Sequence, residues 1–583
     1  MTTTKPEPGN SGPGQHTSFS PPAGEPGTLT AVPHRDQYQN PQQDVPAKQP
    51  GAPRPDRTHP TPLGELAARL GVADPAPGEA AGAETITSAD APATSAESGP
   101  VRVTGITHDS RAVRPGDIYA ALPGARLHGA DFVAQAVDLG AAAILTDPSG
   151  AERATATGLP VLVTEDPRAR MGELATEIYG HPGDDLLQIG ITGTSGKTTS
   201  AYLVEGGLRA AGRATGLIGT VEMRIGDEAL KSERTTPEAT DLQALFAVMR
   251  ERGVEAVAME VSSHALVLGR VDGCVFDVAV FNNLSPEHME FHSGMEDYFQ
   301  AKAQLFTPER SKLGVVNLDD AYGRRLVTEA SVPVVTFSAE GHPDADWRAE
   351  GVELGVFGSV FTAVGPDGVR IEARSPLPGA FNVANTLAAI VTLAAAGIAP
   401  QTAADGIATV PGVPGRLERI DEGQPYLAVV DYAHKTDAVD SVLRSLRKVT
   451  KGRLHIVLGC GGDRDTTKRG PMGAAAARLA DTVVLTSDNP RSEDPLAILA
   501  AMLAGAAEVP VHERGDVLVE ADRAAAIATA VARTEPGDTV LIAGKGHEQG
   551  QDVAGVVRPF DDRQVLRAAI RDSRATLHHT AQG

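Results

Sequence analysis

The sequence predicts an α/β protein built of several domains with mostly parallel sheets. Three observations carry that prediction. The chain has 583 residues, too many for one hydrophobic core and enough for about three or four domains. From Val101 onward, short apolar runs that read as buried strands alternate with longer amphipathic segments. One of those runs, residues 186–192, feeds a Gly-rich turn that opens straight into a helix at Lys197.

Composition narrows what such a protein can meet. Lys plus Arg number 52 against 75 Asp plus Glu, a net charge of −23, so neither a nucleic-acid partner nor an anionic membrane surface is expected. Any phosphate must be captured by local groups. Cys274 and Cys460 are the only cysteines and lie far apart, which is no disulfide framework and fits a reducing cytoplasm. The N-terminus lacks a basic stretch followed by an apolar core, and no apolar run reaches membrane-spanning length, so neither export nor membrane insertion is expected.

Residues 1–60 are Pro, Gly, Gln, Thr and charge, a composition that cannot offset the entropy of folding and reads as a disordered tail. Residues 61–72 have a short helix's signals, with Thr61 as cap, Pro62 in the first turn and Leu63, Leu66 and Leu70 on one face. They open a small N-terminal α/β domain, residues 61–182, interrupted by a low-complexity loop at 73–100. Its strands read as VRVTGI, DIYAAL, AAAILT and VLVTE, with a helix over residues 129–139. His108 and Ser110 follow the first of these strands, where α/β domains expose contact loops, although a plain polar turn explains the residue types as well.

The central domain, residues 183–411, is organised by TGTSGKTT. Gly193 and Gly196 let successive N–H groups of the Thr194-Ser195 turn point at one anion, and the following helix adds its positive end. Lys197 is placed to neutralise phosphate charge, the Thr198 hydroxyl to ligate Mg²⁺, and Thr199 continues the helix start. Ile191 stands where the general motif has its first Gly, which implies a shortened loop. Further strands at 254–261, 275–282 and 314–317 end in polar clusters, so the domain reads as a P-loop ATPase fold with a mostly parallel sheet. Glu260 and His288, beyond two of these strands, could hold Mg²⁺ or be capping groups. Asn382 and Asn385, three apart on one helix face, could read a base edge.

A Pro/Gly hinge, VPGVPGR, precedes a C-terminal domain at residues 412–572, and residues 573–583 read as a frayed tail. Four strands there run into polar loops, the pattern of a Rossmann-like doubly wound sheet. Arg464, the run Asp488, Asn489, Pro490, Arg491, and Glu548 offer two guanidinium forks and acidic groups, a set suited to a ligand bearing both carboxylate and ammonium.

TGTSGKTT, MEVSSHAL, NNLSPEHMEFH, PGAFNVANTLAA, GRLE, DYAHK and DNPR occur in the order of the Mur ligase family, which the chain resembles from about Val101 to Asp562. The resemblance implies three domains and ATP-dependent addition of meso-diaminopimelate to UDP-MurNAc-L-Ala-D-Glu through an acyl phosphate, by a monomer. It implies contacts to the UDP-substrate from His108, Ser110, Ala125, Arg126, Leu127, Thr235, Thr236, Ser262 and Arg270, with Leu268 standing where the family commonly has Gln. Diaminopimelate maps to Arg464, Asp488, Asn489, Pro490, Arg491, Gly544 and Glu548; adenine to Asn382 and Asn385; phosphates or ribose to Arg416 and Asp431. Lys302 aligns with a lysine that the family carries N-carboxylated, a carbamate able to face Mg²⁺ where an ammonium would repel it. The resemblance thus makes Lys197, Glu260, His288 and Lys302 the catalytic set. Lys435 and Thr436 replace the family's Thr-Pro after DYAH. A lysine- or LL-diaminopimelate-adding ligase, the related folylpolyglutamate synthase and a nucleotide-dependent switch protein are the competing readings.

Overall fold

A computed structural model describes residues 51–73 and 100–581, with side chains through 575. Three large sheets, four-, eleven- and six-stranded, follow one another along the chain, with two small two-stranded sheets beside them among the described residues. The first joins Gly105–Thr107, Asp117–Ala121, Ala143–Thr146 and Val161–Val163 in chain order, all parallel. Helix Pro167–Ile178 starts at a favourable cap, the Asp166 carboxylate accepting from Ala169 N at 3.1 Å with proline next. It buries Met171, Leu174 and Ala175 against Ile106 and Leu145 and reaches Ala244 and Ala247 of the central region.

Two expectations for the N-terminal stretch are corrected. Thr61 is not a helix cap: Thr61–Pro62 pairs antiparallel with Arg102–Val103, and the helix is Leu63–Leu70. The cause is Pro62, extended at φ −60° and ψ 131°, after which the Leu63 N–H donates to Val101 O at 2.8 Å. The tail reading of residues 1–60 also extends too far, because the segment around Arg54 to Arg57 is anchored to the folded regions. Arg54 buries its guanidinium against Asp117 and the Tyr179 hydroxyl, and the amides of Asp56 and Arg57 donate to Glu251 at 2.9 and 2.7 Å. These partners are distant in sequence, so local composition does not reveal them. Residues 1–50 and 74–99, which hold the rest of the tail and most of the low-complexity loop, lie outside the described residues.

The central sheet is parallel in its middle and antiparallel at both edges. Strands Leu187–Thr192, Ala256–Glu260, Val278–Phe281 and Gly314–Asn317 lie together as parallel neighbours. Hairpin strands, Met223–Ile225 with Glu228–Leu230 and Gly358–Val364 with Arg370–Ser375, close its two ends. Helices Lys197–Ala210, Ala380–Ala395 and Pro400–Ala408 cover one face and Ala239–Glu251 the other, each burying an apolar stripe against the strands.

In the third region Leu427–Asp431, Thr539–Ala543, Leu454–Leu458, Thr482–Leu485 and Asp516–Val519 run parallel, with Glu418–Arg419 antiparallel at the edge. The last of these strands in sequence inserts between the first two, and helices lie on both faces, as a doubly wound sheet requires. The expected frayed tail is instead the end of helix Asp562–Ala581, whose Leu566 and Ile570 are fully buried against the sheet. No helix among the described residues is long and apolar enough to cross a membrane.

Candidate active site

The phosphate loop is the turn between strand Leu187–Thr192 and helix Lys197–Ala210. Gly193 and Gly196 have φ of 147° and 85°, and a Cβ on Gly196 would lie 2.4 Å from Asn385 Oδ1. Lys197 curls over the loop, donating to Gly193 O and Thr194 O at 2.7 and 2.9 Å. Burial lowers its pKa, and Glu260 opposes that shift. Asn283 clamps the Ser195 peptide from both sides, accepting from its N–H at 2.9 Å and donating to its carbonyl at 3.2 Å. Thr194 is held by Ser285 O and the Tyr298 hydroxyl, both at 3.1 Å.

Glu260 ends the neighbouring strand, only 1% exposed, and its carboxylate organises the cleft. It accepts from Thr198 Oγ1 at 2.9 Å, Thr220 N at 2.7 Å and Thr220 Oγ1 at 3.1 Å. Thr235 reaches Thr220 at 3.0 Å, while Thr236 donates to Glu260 O at 2.9 Å and accepts from Ser262 N at 3.2 Å. Three expected UDP-substrate residues therefore share one hydrogen-bonded chain with the phosphate loop. Arg270 pairs with Glu238 at 2.9 Å, and His108 bears electrostatically on the same carboxylate. The buried His108 Nδ1 has no hydrogen-bond partner among the described residues, an atom available to a ligand. Ser110 donates to Gln135 at 2.8 Å, and Ala125, Arg126 and Leu127 stand exposed on the loop before His128. Leu268 caps a short helix, half-buried.

Lys302 is 1% exposed and donates to Gly193 O at 3.1 Å and Thr192 Oγ1 at 3.5 Å. Burial first, and Lys197 second, hold its pKa well below that of an ordinary lysine. His288 is not turned onto Glu260: its ring faces Glu287 and Glu290, each at 3.3 Å, from a backbone at φ 57°. His264 packs against His288 and stacks on Phe291, and burial pushes its pKa down to about 4. Among the described residues no group of three or more His, Cys, Asp or Glu is gathered for a metal. The Thr198 hydroxyl beside the Glu260 carboxylate nonetheless fits Mg²⁺, which takes one or two protein oxygens and fills its remaining positions with phosphate and water.

The third region borders this cleft. Arg416 donates to Thr198 Oγ1 at 3.3 Å, with its guanidinium 4.6 Å from the Tyr432 ring centre. Asp431 accepts one backbone N–H on each oxygen, from Leu417 at 2.7 Å and Ala433 at 2.8 Å, which fixes the carboxylate at the strand end. Lys435 pairs with Glu287 of the central region. Asn382 is committed to Pro378 O at 2.7 Å, and Asn385 donates to Asn382 Oδ1 at 3.0 Å; both are buried at the rim of the phosphate loop.

At the strand ends of the third sheet, Asn489 donates to Glu548 Oε2 at 2.9 Å. Arg491, at φ 53°, anchors one nitrogen on Gly462 O at 2.6 Å. Arg464 is exposed, and Pro490 packs in the turn between Asn489 and Arg491. Gly544, at φ 115°, must be glycine because a Cβ would come within 2.6 Å of Asp488 Oδ2. Below it the fully buried Arg523 pairs with Asp562 at 2.7 Å and donates to Ala543 O at 2.9 Å, fixing the floor. Residue-by-residue reading singled out neither Thr220 nor Lys545, although the three-residue spacing of Lys545 and Glu548 was visible.

Three family models match in succession: "Mur ligase family, catalytic domain" over residues 102–179, "Mur ligase middle domain" over 191–393, and "Mur ligase, glutamate ligase domain" over 415–546. The chain is 77% identical over 525 residues to the UDP-N-acetylmuramoyl-L-alanyl-D-glutamate--2,6-diaminopimelate ligase of Streptomyces coelicolor, spanning 90% of this chain and 99% of that one. The ligase of the same name from Corynebacterium glutamicum is 49% identical over 483 residues, 81% of this chain and 92% of its own. A solved structure of such a ligase aligns with TM-score 0.61 at 33% identity, covering 81% of this chain and 96% of that one. By its three matched domains and these near-full-length relatives, the chain belongs to the Mur ligase family.

Proposed function

We propose that this chain is a cytoplasmic, ATP-dependent amide ligase of peptidoglycan precursor synthesis that adds diaminopimelate, in its meso form, to UDP-N-acetylmuramoyl-L-alanyl-D-glutamate. The observation that carries this reading is the 77% identity, over almost their whole length, to a relative named for that reaction. The D-glutamyl carboxylate attacks the γ-phosphorus of ATP, forming an acyl phosphate and releasing ADP. Lys197 and the N–H groups of the Gly193 to Gly196 turn stabilise the charge on the transferring phosphoryl group. The amine of diaminopimelate then attacks the acyl carbon, and inorganic phosphate leaves from the tetrahedral intermediate.

Thr198 and Glu260 would hold Mg²⁺, with His288 and an N-carboxylated Lys302 as further donors, and the ion supplies charge neutralisation across the phosphate oxygens. What supports N-carboxylation is the buried amine of Lys302, because the uncharged form is the one that adds CO₂. A ¹³C resonance from ¹³CO₂-treated protein, absent in Lys302→Ala, would test it directly. Asn385 and Asn382 border the adenine side, while Thr235, Thr236, Ser262, Arg270, His108, Ser110 and residues 125–127 line the path of the UDP-substrate. In the third region Arg491 and Arg464 take the distal carboxylate of diaminopimelate, Asp488 and Glu548 its ammonium, with Asn489, Pro490 and Gly544 shaping the turn.

The decisive experiment incubates the protein with ATP, Mg²⁺, the UDP-dipeptide and, separately, meso-diaminopimelate, LL-diaminopimelate and lysine. Product mass should rise by one diaminopimelate residue with the meso isomer. ATP hydrolysis without any amide product would overturn the ligase reading.

A further inference from the structure

Lys545 is a buried charged group to which the mechanism above gives no role. Lys545 has a side chain that is 0% exposed and sits at the end of strand Thr539–Ala543, next to the strained Gly544. A buried ammonium is costly unless it is paired and hydrogen-bonded. Lys545 Nζ donates to Asn489 Oδ1 and to Glu548 Oε2, each at 3.0 Å. Asn489 Oδ1 also accepts from Asp552 N at 3.0 Å, and Asn489 Nδ2 donates to the same Glu548 Oε2 at 2.9 Å.

These four contacts fix more than a salt bridge. Asn489 carries an oxygen and a nitrogen of the same size, and either could point inward. Two donors on Oδ1 forbid the flipped amide, which would set its NH₂ against an ammonium and a peptide N–H. The second N–H of Nδ2 is thereby held ready to donate. Glu548 Oε2 is occupied twice, whereas its Oε1 receives no hydrogen bond among the described residues, and the side chain is 33% exposed. One open donor and one open anionic acceptor are left side by side, with Arg491 on the neighbouring turn.

We propose that Lys545 is a specificity-determining positioning residue: by locking Asn489 and Glu548, it makes the third-region pocket demand an amino acid whose far end bears both a carboxylate and an ammonium. The inference rests on the ligase reading above. A ligand lacking the distal carboxylate needs only Glu548 and is indifferent to the Asn489 orientation. Diaminopimelate needs both, since a flipped amide would turn Oδ1 toward its carboxylate.

The test is Lys545→Met, with thermal unfolding followed alongside steady-state kinetics in each of the three substrates. The KM for diaminopimelate should rise about 10- to 100-fold, the scale of charge-assisted hydrogen bonds lost, while the KM values for ATP and the UDP-dipeptide stay within about twofold. The preference for diaminopimelate over lysine in kcat/KM should fall with it, a change that general loosening of the fold would not produce. A folded variant with unchanged diaminopimelate KM and preference would overturn the inference. Should Lys545→Met lack a cooperative unfolding transition, Lys545→Met in the Glu548→Gln background, where no unpaired carboxylate remains, is compared with Glu548→Gln alone. A further rise of at least about fivefold in diaminopimelate KM supports the role of Asn489 orientation, and equality of the two overturns it. If the wild type makes no product with any diaminopimelate isomer, the ligase reading fails, and this inference falls with it.

Discussion

Lys302→Met should stabilise the unliganded protein while stopping its chemistry, a pairing that follows from how this lysine is buried. Its hydrogen-bond partners, Gly193 O at 3.1 Å and Thr192 Oγ1 at 3.5 Å, are both neutral, and the Tyr298 ring lies 4.7 Å from the nitrogen. No carboxylate contacts Nζ among the described residues. The variant loses two weak bonds worth roughly 0.5–1.5 kcal/mol each, and Gly193 O keeps its 2.7 Å bond from Lys197. It gains by no longer enclosing an amine that is poorly compensated, and methionine fills similar volume with a flexible apolar chain. The net expectation is about 1–3 kcal/mol of added stability at neutral pH, or about 2–4 °C per kcal/mol for a domain of this size.

The pH dependence gives the sign. The unfolded lysine holds its proton up to about pH 10.4, whereas burial and Lys197 make the folded group release it at lower pH. Between those two values the unfolded chain binds more protons, so wild-type stability from this group rises with pH. The advantage of Lys302→Met should therefore be greatest on the acid side of that window and vanish as the pH approaches about 10.4. Thermal unfolding of both proteins in CO₂-free, Mg²⁺-free buffer from about pH 7 to pH 9.5 reads this directly, with turnover measured in parallel. A destabilised variant, or a gap that ignores pH, would refute the account of the buried amine. Wild-type turnover in the variant would refute the carbamate role.

Arg491→Ala should raise the diaminopimelate requirement by about 1.5–3 kcal/mol in kcat/KM, and unchanged amino-acid kinetics would remove Arg491 from that site. Gly196→Ala forces a left-handed backbone and a Cβ within 2.4 Å of Asn385 Oδ1, so nucleotide affinity, read by titration calorimetry, should drop sharply with a loss of about 1–3 kcal/mol in stability; normal ATP binding would show that the loop relaxes freely. Arg54→Ala strands the Asp117 carboxylate, whose side chain is 4% exposed, and should cost about 3–5 kcal/mol, seen as faster hydrogen exchange in strands Gly105–Thr107 and Asp117–Ala121. Protection equal to wild type would mean that the strap is ornamental to the first sheet. Small-angle scattering should show compaction when nucleotide and UDP-dipeptide are both present, and an unchanged radius in every ligated state would speak against closure of the third region over the cleft.

Much of this molecule is written locally. Short apolar runs such as residues 187–192, 256–260 and 539–543, each ending in a polar or Gly-rich loop, read as buried strands, and a Gly-rich turn leading into Lys197, Thr198 and Thr199 can satisfy its N–H groups best around an anion. The ordered motifs made the Mur ligase family legible as well, because each is a short stretch that carries its own chemistry.

Other features depend on atoms far apart in the chain. Nothing in GAPRPDRTHP announces an anchored strap, since Arg54 is ordered by Asp117 and Tyr179, which fold elsewhere. Thr61 looks like a cap until Val101 supplies the carbonyl that makes its neighbour a strand end. Lys545 stands in a glycine loop that the sequence does not mark as buried, yet Asn489 and Glu548 enclose it. Sequence alone determined the phosphate loop and the parallel strands that lead into the polar loops of the second and third sheets, because hydrophobic period and glycine act over a few residues. Only the tertiary structure decided which charges are buried together, because desolvation is set by whatever packs around a group and not by the residues beside it in the chain.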